Sequence, residues 1–289
     1  MAFRDILLLL DTYPEPTPAS AIDDAVVLAQ AMGARISALA CAIMLPGTGN
    51  ILADTLLDVP TILVEEGGKS LSNAEAVLSR FHRAAEERGI FQEGILDRFP
   101  KAAISDLFIE HARVRDLTIV PIPDEETVGR LSTESMVGYA EQIVFGSGRP
   151  TIFLQRNRMS ERKVAIDTVI VGWDCSRPAS RAVADALPIL EVAKQVIVVT
   201  VTITKPAESK ASVAALARNL THHGVQVALE TVDADGQEIG KVLLNYVASR
   251  GADLLVMGAY GHSRLRETVF GGTTRSLLER SSTPILLAH

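Results

Sequence analysis

Short apolar runs alternate with segments of helical periodicity along the whole chain. In the C-terminal half, these runs predict strands at 167–173, 195–203, 225–232, 253–257 and 284–288. Apolar residues between them recur every three or four positions, which is typical of a helix that buries one face. These positions are Ala179, Ala182, Val183, Ala186, Leu187 and Leu190, then Ile239, Val242, Leu243, Tyr246 and Val247. The strands are apolar throughout rather than alternating, which predicts a parallel sheet covered by helices on both faces.

The chain contains a diverged internal repeat. Residues 6–11 and 169–174 are both apolar runs that end in Asp, and each is followed by Pro-Ala-Ser at the start of an amphipathic segment. Self-similarity of this kind is the signature of a duplicated unit. We therefore predict two homologous domains, 1–157 and 164–289, joined by the polar and charged linker at 156–163.

The predicted fold class is α/β, with two tandem doubly wound, Rossmann-like parallel sheets. The last strand of each domain is apolar and lies at a sheet edge, which a folded protein normally covers. We expect the two edges to pair antiparallel within the chain as a pseudo-dimer, because a tether keeps them close together and because last strands pair in this way in dimers of the family that the chain resembles through the motif described below. Its predicted core includes Ile152, Leu154, Ile285 and Leu287. Whether such chains associate further is left open.

One stretch of the first domain, residues 45–69, has no clear periodicity. It is rich in glycine and proline, so it predicts a flexible loop with a short helix near 51–58. No role is assigned to it.

Composition limits the partners. The chain has 289 residues and a formal net charge of −7, which argues against general binding to nucleic acid. Cys41 and Cys175 follow no metal or redox spacing, so no metal site is predicted. The N-terminal apolar run is too short for a signal peptide or a membrane span, and we expect a cytoplasmic protein without a membrane partner.

The candidate chemistry lies in one segment of the second domain. Gly258 and Gly261 follow an apolar strand, and Gly271 and Gly272 precede a predicted helix at 274–280. Such glycines let backbone N–H groups approach an anion, and a helix N-terminus favours a phosphate. Hydroxyl donors follow directly at Thr273 and Thr274. The spacing predicts a phosphate-binding loop.

The local charge differs between the two domains. Residues 258–282 hold four arginines and two glutamates, a net charge of +2. Residues 121–150 of the first domain hold two arginines and five carboxylates, a net charge of −3. There, Pro121 and Asp124 replace Gly258 and Gly261. A phosphate would meet carboxylates in the first domain, so we expect one nucleotide per chain, in the second.

The pattern Gly258-x-x-Gly261-x9-Gly271 with following hydroxyls resembles the ATP-binding motif of the universal stress protein family. The resemblance implies ATP as the bound cofactor, with or without Mg²⁺, and an adenine nucleotide as the natural partner. By the same resemblance, Asp174 would bind the adenosine moiety and Val201 would meet the adenine. The remaining implied contacts are Met257, Gly258 and Gly261 at the ribose and phosphates, and Gly271, Gly272, Thr273 and Thr274 at the phosphates. The family's ATP binders usually carry Ser or Thr where this chain has Gly272, which leaves the affinity open.

Asp174 also has a purely structural interpretation, because an Asp that follows an apolar strand often caps the next turn. Asp11 keeps the same position in the domain without the glycine loop.

Three functions fit these patterns. The first is an ATP-binding protein of the stress response or of regulation. The second is a slow ATPase, although the loop has no phosphate-binding lysine and no clear general base, so no catalytic residue is predicted. The third is a nucleotide-independent scaffold that acts through protein partners.

Overall fold

The computed structural model describes residues 2–44, 59–122, 136–155, 166–202, 210–259, 277–278 and 280–289. The strands are β1 (Asp5–Leu10), β2 (Arg35–Met44), β3 (Phe91–Pro100), β4 (Leu117–Ile122), β5 (Thr151–Gln155), β6 (Thr168–Gly172), β7 (Gln195–Thr202), β8 (Val227–Asp233), β9 (Leu254–Gly258) and β10 (Ile285–Ala288). The helices are α1 (Ala19–Ala31), α2 (Val59–Glu87), α3 (Ile104–Arg113), α4 (Met136–Ser147), α5 (Arg177–Leu190), α6 (Lys210–His222) and α7 (Ile239–Ser249), and residues 277, 278 and 280 are also helical.

All the strands belong to one sheet of order β3-β2-β1-β4-β5-β10-β9-β6-β7-β8. Neighbouring strands are parallel within the N-terminal half, β1 to β5, and within the C-terminal half, β6 to β10. The five predicted strands of the C-terminal half agree with the structure to within two residues at each end. The predicted α/β class with tandem doubly wound units is confirmed.

Helices cover both faces of the sheet. One apolar cluster lies under α1, α2, α5 and α6, and a second lies under α3, α4, α7 and the helical residues 277–278. Corresponding helices of the two halves therefore share a face. The central strands are buried on both faces, which explains why their sequences do not alternate.

The two halves meet where β5 and β10 pair antiparallel. Ile285 lies opposite Phe153, and Leu287 lies opposite Thr151. Ile152, Leu154, Ile285 and Leu287 are all at most 1% exposed, so the predicted core of the intrachain pseudo-dimer is confirmed. Because this one pair is antiparallel, the strands of the two halves run in opposite directions, and their carboxyl ends lie at opposite edges of the sheet.

The prediction of an irregular stretch at 45–69 is wrong for its second part, because α2 begins at Val59. Pro60 lies in the first turn of this helix, where a missing N–H breaks no intrahelical bond. Just after the two glycines at 67 and 68, a hydrogen bond attaches α2 to β2. The buried Ser70 hydroxyl accepts the N–H of Ile43 at 3.0 Å. The short helix expected at 51–58 lies outside the described residues.

Deleting residues 284–289 would remove β10 and leave the apolar edges of β5 and β9 unpaired. We expect aggregation of the truncated chain, because exposed apolar edges template pairing with other chains. Sedimentation velocity after purification measures this directly. A truncated protein that stays soluble and monomeric would contradict the structural role assigned to the β5–β10 pair.

Candidate functional site

The order of strands creates a topological switch point at the carboxyl edge of the C-terminal half, the edge formed by the carboxyl ends of β6, β7 and β9, where a ligand crevice is expected. From β6 the chain passes to β7 and β8 on one side, and β9 then returns to the other side of β6. Ligands of open α/β sheets bind at such switch points, beyond the carboxyl ends of the strands. Four residues predicted for the site lie within the described chain, and all four lie at this edge.

Asp174 lies exposed just beyond the end of β6. Its Oδ1 accepts the backbone N–H of Ser176 at 2.9 Å, and the Ser176 hydroxyl accepts the N–H of Ala179 at 3.2 Å as the N-cap of α5. Cys175 between them has a φ of 61°, an unusual value for a residue with a Cβ. Asp174 thus builds the turn from β6 into α5, as its structural interpretation expects, while remaining at the switch point.

Val201 and Met257 lie near the carboxyl ends of the strands on either side of β6. Both are half-buried and pack against the apolar cluster under α7, so they face the same side of the sheet. Met257 is paired with Gly172, the last residue of β6. Because Gly172 has no side chain, β6 places none between Met257 and Val201 at this position. A smooth apolar surface therefore spans these strand ends.

Gly258 has a packing role that the sequence did not reveal. A Cβ built on it would lie 2.8 Å from the Ala179 Cα, and closer still to the Ala179 nitrogen and the Pro178 carbonyl carbon. The first turn of α5 therefore rests directly on the end of β9. The Pro-Ala-Ser repeat marks this helix start, but the partner strand could be identified only from the fold.

The five remaining predicted site residues, Gly261, Gly271, Gly272, Thr273 and Thr274, lie outside the described residues. The start of their segment is anchored on β10. The Ala259 N–H donates to the Ala288 carbonyl at 2.9 Å, and Nδ1 of His289 lies 3.1 Å from the Ala259 carbonyl oxygen.

The chain's single tryptophan is a feature of this edge that the motifs did not indicate. Trp173 directly precedes Asp174 and is 8% exposed, and its Nε1 has no hydrogen-bond partner among the described residues. The only signal in the sequence is the rarity of tryptophan itself.

The corresponding edge of the N-terminal half is covered by α2. The Thr12 hydroxyl lies 2.8 Å from the Ser70 hydroxyl, and Asn73 donates its Nδ2–H to the Thr12 carbonyl at 2.9 Å. Burial, followed by the charge and hydrogen bond of Glu66, raises the pKa of Tyr13 above its usual value. Side chains of α2 therefore bind the turn after β1, at the place that corresponds to the switch point of the C-terminal half.

Within the described ranges, no group of three or more His, Cys, Asp and Glu side chains is placed to hold a metal ion. None of the helices described is both long and apolar enough to cross a bilayer.

Gly258→Ala is expected to destabilise the protein without any ligand, because the new methyl group would collide with the backbone of α5. Overpacking of this kind costs about 1–3 kcal/mol in the free energy of unfolding, and more where backbone must move. Urea denaturation of the nucleotide-free protein measures the change. Gly68→Ala is the matched control, since nothing lies within 4 Å of its Cβ position and alanine favours the helix. Equal stability of Gly258→Ala and the parent protein would refute the packing role.

The two cysteines are expected to differ in reactivity. Cys175 is exposed, whereas burial and the nearby Asp97 carboxylate raise the pKa of Cys41 to about 11. Since the thiolate is the reactive form, a thiol reagent near neutral pH should label one cysteine in the native protein and both after unfolding. Cys175→Ser should abolish the native signal. Rapid labelling of the native Cys175→Ser variant would contradict the burial of Cys41.

Comparison with known proteins supports the architecture. Residues 165–289 match the model of the universal stress protein family. Universal stress protein Slr1230 of Synechocystis sp. (strain ATCC 27184 / PCC 6803 / Kazusa) is 36% identical over 63 residues, which are 22% of this chain and 21% of that protein. The match thus spans about a fifth of that relative's length.

Two solved structures share the fold of nearly the whole chain. A universal stress protein from Archaeoglobus fulgidus DSM 4304 covers 98% of this chain with a TM-score of 0.69 at 16% identity, and 95% of its own length is matched. A protein of unknown function from Pseudomonas aeruginosa PAO1 covers 99% with a TM-score of 0.54 at 14% identity, and 92% of its length is matched. This chain therefore carries a universal stress protein domain at residues 165–289.

Proposed function

We propose that the chain binds one adenine nucleotide, ATP, with or without Mg²⁺, at the carboxyl edge of its C-terminal half. It would act in the stress response as a nucleotide-responsive regulatory protein of the cytoplasm. The observation that carries the proposal is the topological switch point at β6 and β9, which lies within the half that matches the family model. We also propose domain limits of 1–157 and 164–289.

The described side chains suit the nucleoside part of such a ligand. Val201 and Met257 offer an apolar surface on one side of the sheet, which suits a flat heterocycle. Asp174 is exposed at the end of β6 and supplies a carboxylate, an acceptor for hydroxyl or amino groups. The glycines and threonines from Gly261 to Thr274 would then hold the phosphates.

Two independent features support the restriction of nucleotide binding to the C-terminal half. In the N-terminal half, the contacts of α2 with Thr12 and Tyr13 cover the corresponding edge. The net charge of −3 over 121–150 would also repel a phosphate, whereas 258–282 carries +2.

Titration calorimetry with ATP is therefore expected to give one bound nucleotide per chain. Two equivalent sites per chain would contradict the restriction of binding to the C-terminal half.

A nucleotide-independent scaffold is the second candidate. Gly258 and Asp174 already have structural roles, in the packing of α5 and in the turn before it. Both residues would therefore be retained even in a protein that binds no nucleotide. Absorbance and mass analysis of small molecules released on denaturation separate the candidates: released ATP supports the first, released ADP with measurable turnover supports a slow ATPase, and no nucleotide supports the scaffold.

Gly261→Asp should abolish ATP binding or weaken it at least tenfold, because it introduces a carboxylate and a Cβ where backbone would meet phosphate. Each lost charge-assisted hydrogen bond costs about 1.5–3 kcal/mol. Asp124→Gly, the reverse change at the corresponding position of the N-terminal half, is the matched control and should leave the affinity unchanged. Isothermal titration calorimetry measures both variants, with circular dichroism to establish folding. Undiminished ATP affinity in folded Gly261→Asp would exclude the assigned loop.

A further inference from the structure

A cavity lies on the C-terminal half, away from the carboxyl-edge switch point. It lies between α7 and the segment that leads into β10, and its volume is about 310 Å³. Its polar lining includes Lys241, Asn245, Arg280 and Ser282, and Leu244 and Val247 contribute apolar surface. We call it the α7 cavity. Because residues 281–283 precede β10, it borders the amino end of this strand, opposite the proposed nucleotide site.

The two halves can be compared at this place through a shared turn. The Ser281 hydroxyl donates to the Thr283 carbonyl at 2.6 Å and accepts the Thr283 N–H at 3.1 Å. Ser147 and Arg149 make the same pair of contacts before β5, at 3.4 and 3.2 Å. Thr283 thus corresponds to Arg149, and Arg280 corresponds to Gly146.

In the N-terminal half, protein groups fill the corresponding space. The Arg149 Nε donates to the Arg113 carbonyl at 3.2 Å, and the Arg113 Nε donates to the Gly146 carbonyl at 3.0 Å. Ile109 presses on Gly146, with its Cδ1 2.7 Å from the place of a Cβ. Helices α3 and α4 are therefore held together by the hydrogen bonds of the Arg149 and Arg113 side chains and by the packing of Ile109 against Gly146.

In the C-terminal half, other residues stand at the positions of Arg149 and Gly146. Thr283 is too short to reach across as Arg149 does, and its hydroxyl lies 3.5 Å from the Ala252 carbonyl. Arg280 stands where Gly146 permits close packing, and it is exposed. The structure therefore leaves a cavity between α7 and this segment and places a cation at its rim.

The charge of the cavity is unusual for this chain. Among the described residues that line it, two are cations and none is a carboxylate, although the whole protein carries −7. Neither Lys241 nor Arg280 forms an ion pair with another described residue. The Asn245 amide and the Ser282 hydroxyl add neutral hydrogen-bonding groups. Cationic and neutral donors beside a small apolar surface suit an anion with a short apolar part.

We propose that the α7 cavity binds a small organic dianion, a phosphate monoester or a dicarboxylate. Lys241 and Arg280 hold the charge, and Leu244 and Val247 contact the apolar part. This site is distinct from the proposed nucleotide site, because it lies at the other edge of the sheet and includes none of the nine residues predicted to contact the nucleotide.

The test uses chemical-shift mapping of the full chain with phenyl phosphate at about pH 7.5, where a phosphate monoester carries close to two negative charges. Succinate is the dicarboxylate probe, and benzyl alcohol is the uncharged control. We expect amide shifts at 241–248 and 280–283 with either dianion and none with benzyl alcohol. Shifts confined to 172–176 and 257–259, equal shifts with benzyl alcohol, or no shifts with either dianion would overturn the proposal.

Charge-removing variants then test the two cations. Arg280→Gln and Lys241→Gln should each weaken binding of the dianion about tenfold, the effect of one lost charge-assisted hydrogen bond. Arg250→Gln is the matched control, since Arg250 follows the same helix but pairs with Glu230 outside the cavity. It should bind as the parent protein does. Unchanged affinity in folded Arg280→Gln and Lys241→Gln, or an equal loss in Arg250→Gln, would refute the site.

Discussion

The antiparallel pairing of β5 with β10 is the interaction on which the architecture depends. Each half would otherwise end in an apolar strand with an unpaired row of backbone groups at the edge of its sheet. Pairing satisfies both edges at once and extends the two apolar clusters across the junction. The covalent tether makes the encounter intramolecular, so association of the two halves does not depend on protein concentration.

Much of the fold follows from patterns in the sequence, because buried parallel strands are both short and uniformly apolar. The runs at 169–171 and 254–256 needed no tertiary information, and the repeated Asp and Pro-Ala-Ser located the turn before α5. The start of α2 could not be found in this way. Its glycines and proline are poor helix formers, and tertiary contacts such as Ser70 to Ile43 outweigh that local preference.

Part of the candidate site could be located from the sequence, but the structural roles of its residues could not. By resemblance, Asp174 and Met257 were expected in one site, and the structure has both at the carboxyl edge of the C-terminal half. Gly258 shows the limit of this reasoning, since one glycine can serve backbone packing and ligand approach together. Only the distance to Ala179 reveals that the fold requires it. The closure of the other edge by α2 was equally hidden, because it rests on contacts between residues some sixty positions apart.

The reversal of strand direction at the junction has an evolutionary consequence. In a symmetric dimer of identical chains, any substitution enters both sites together, so neither site can decay while the other is kept. Joining the halves in one chain removes that coupling. Since the two carboxyl edges also face away from each other, the N-terminal edge could be sealed by α2 without steric effect on its counterpart. Selection could then act on the first half for its contribution to the shared sheet alone.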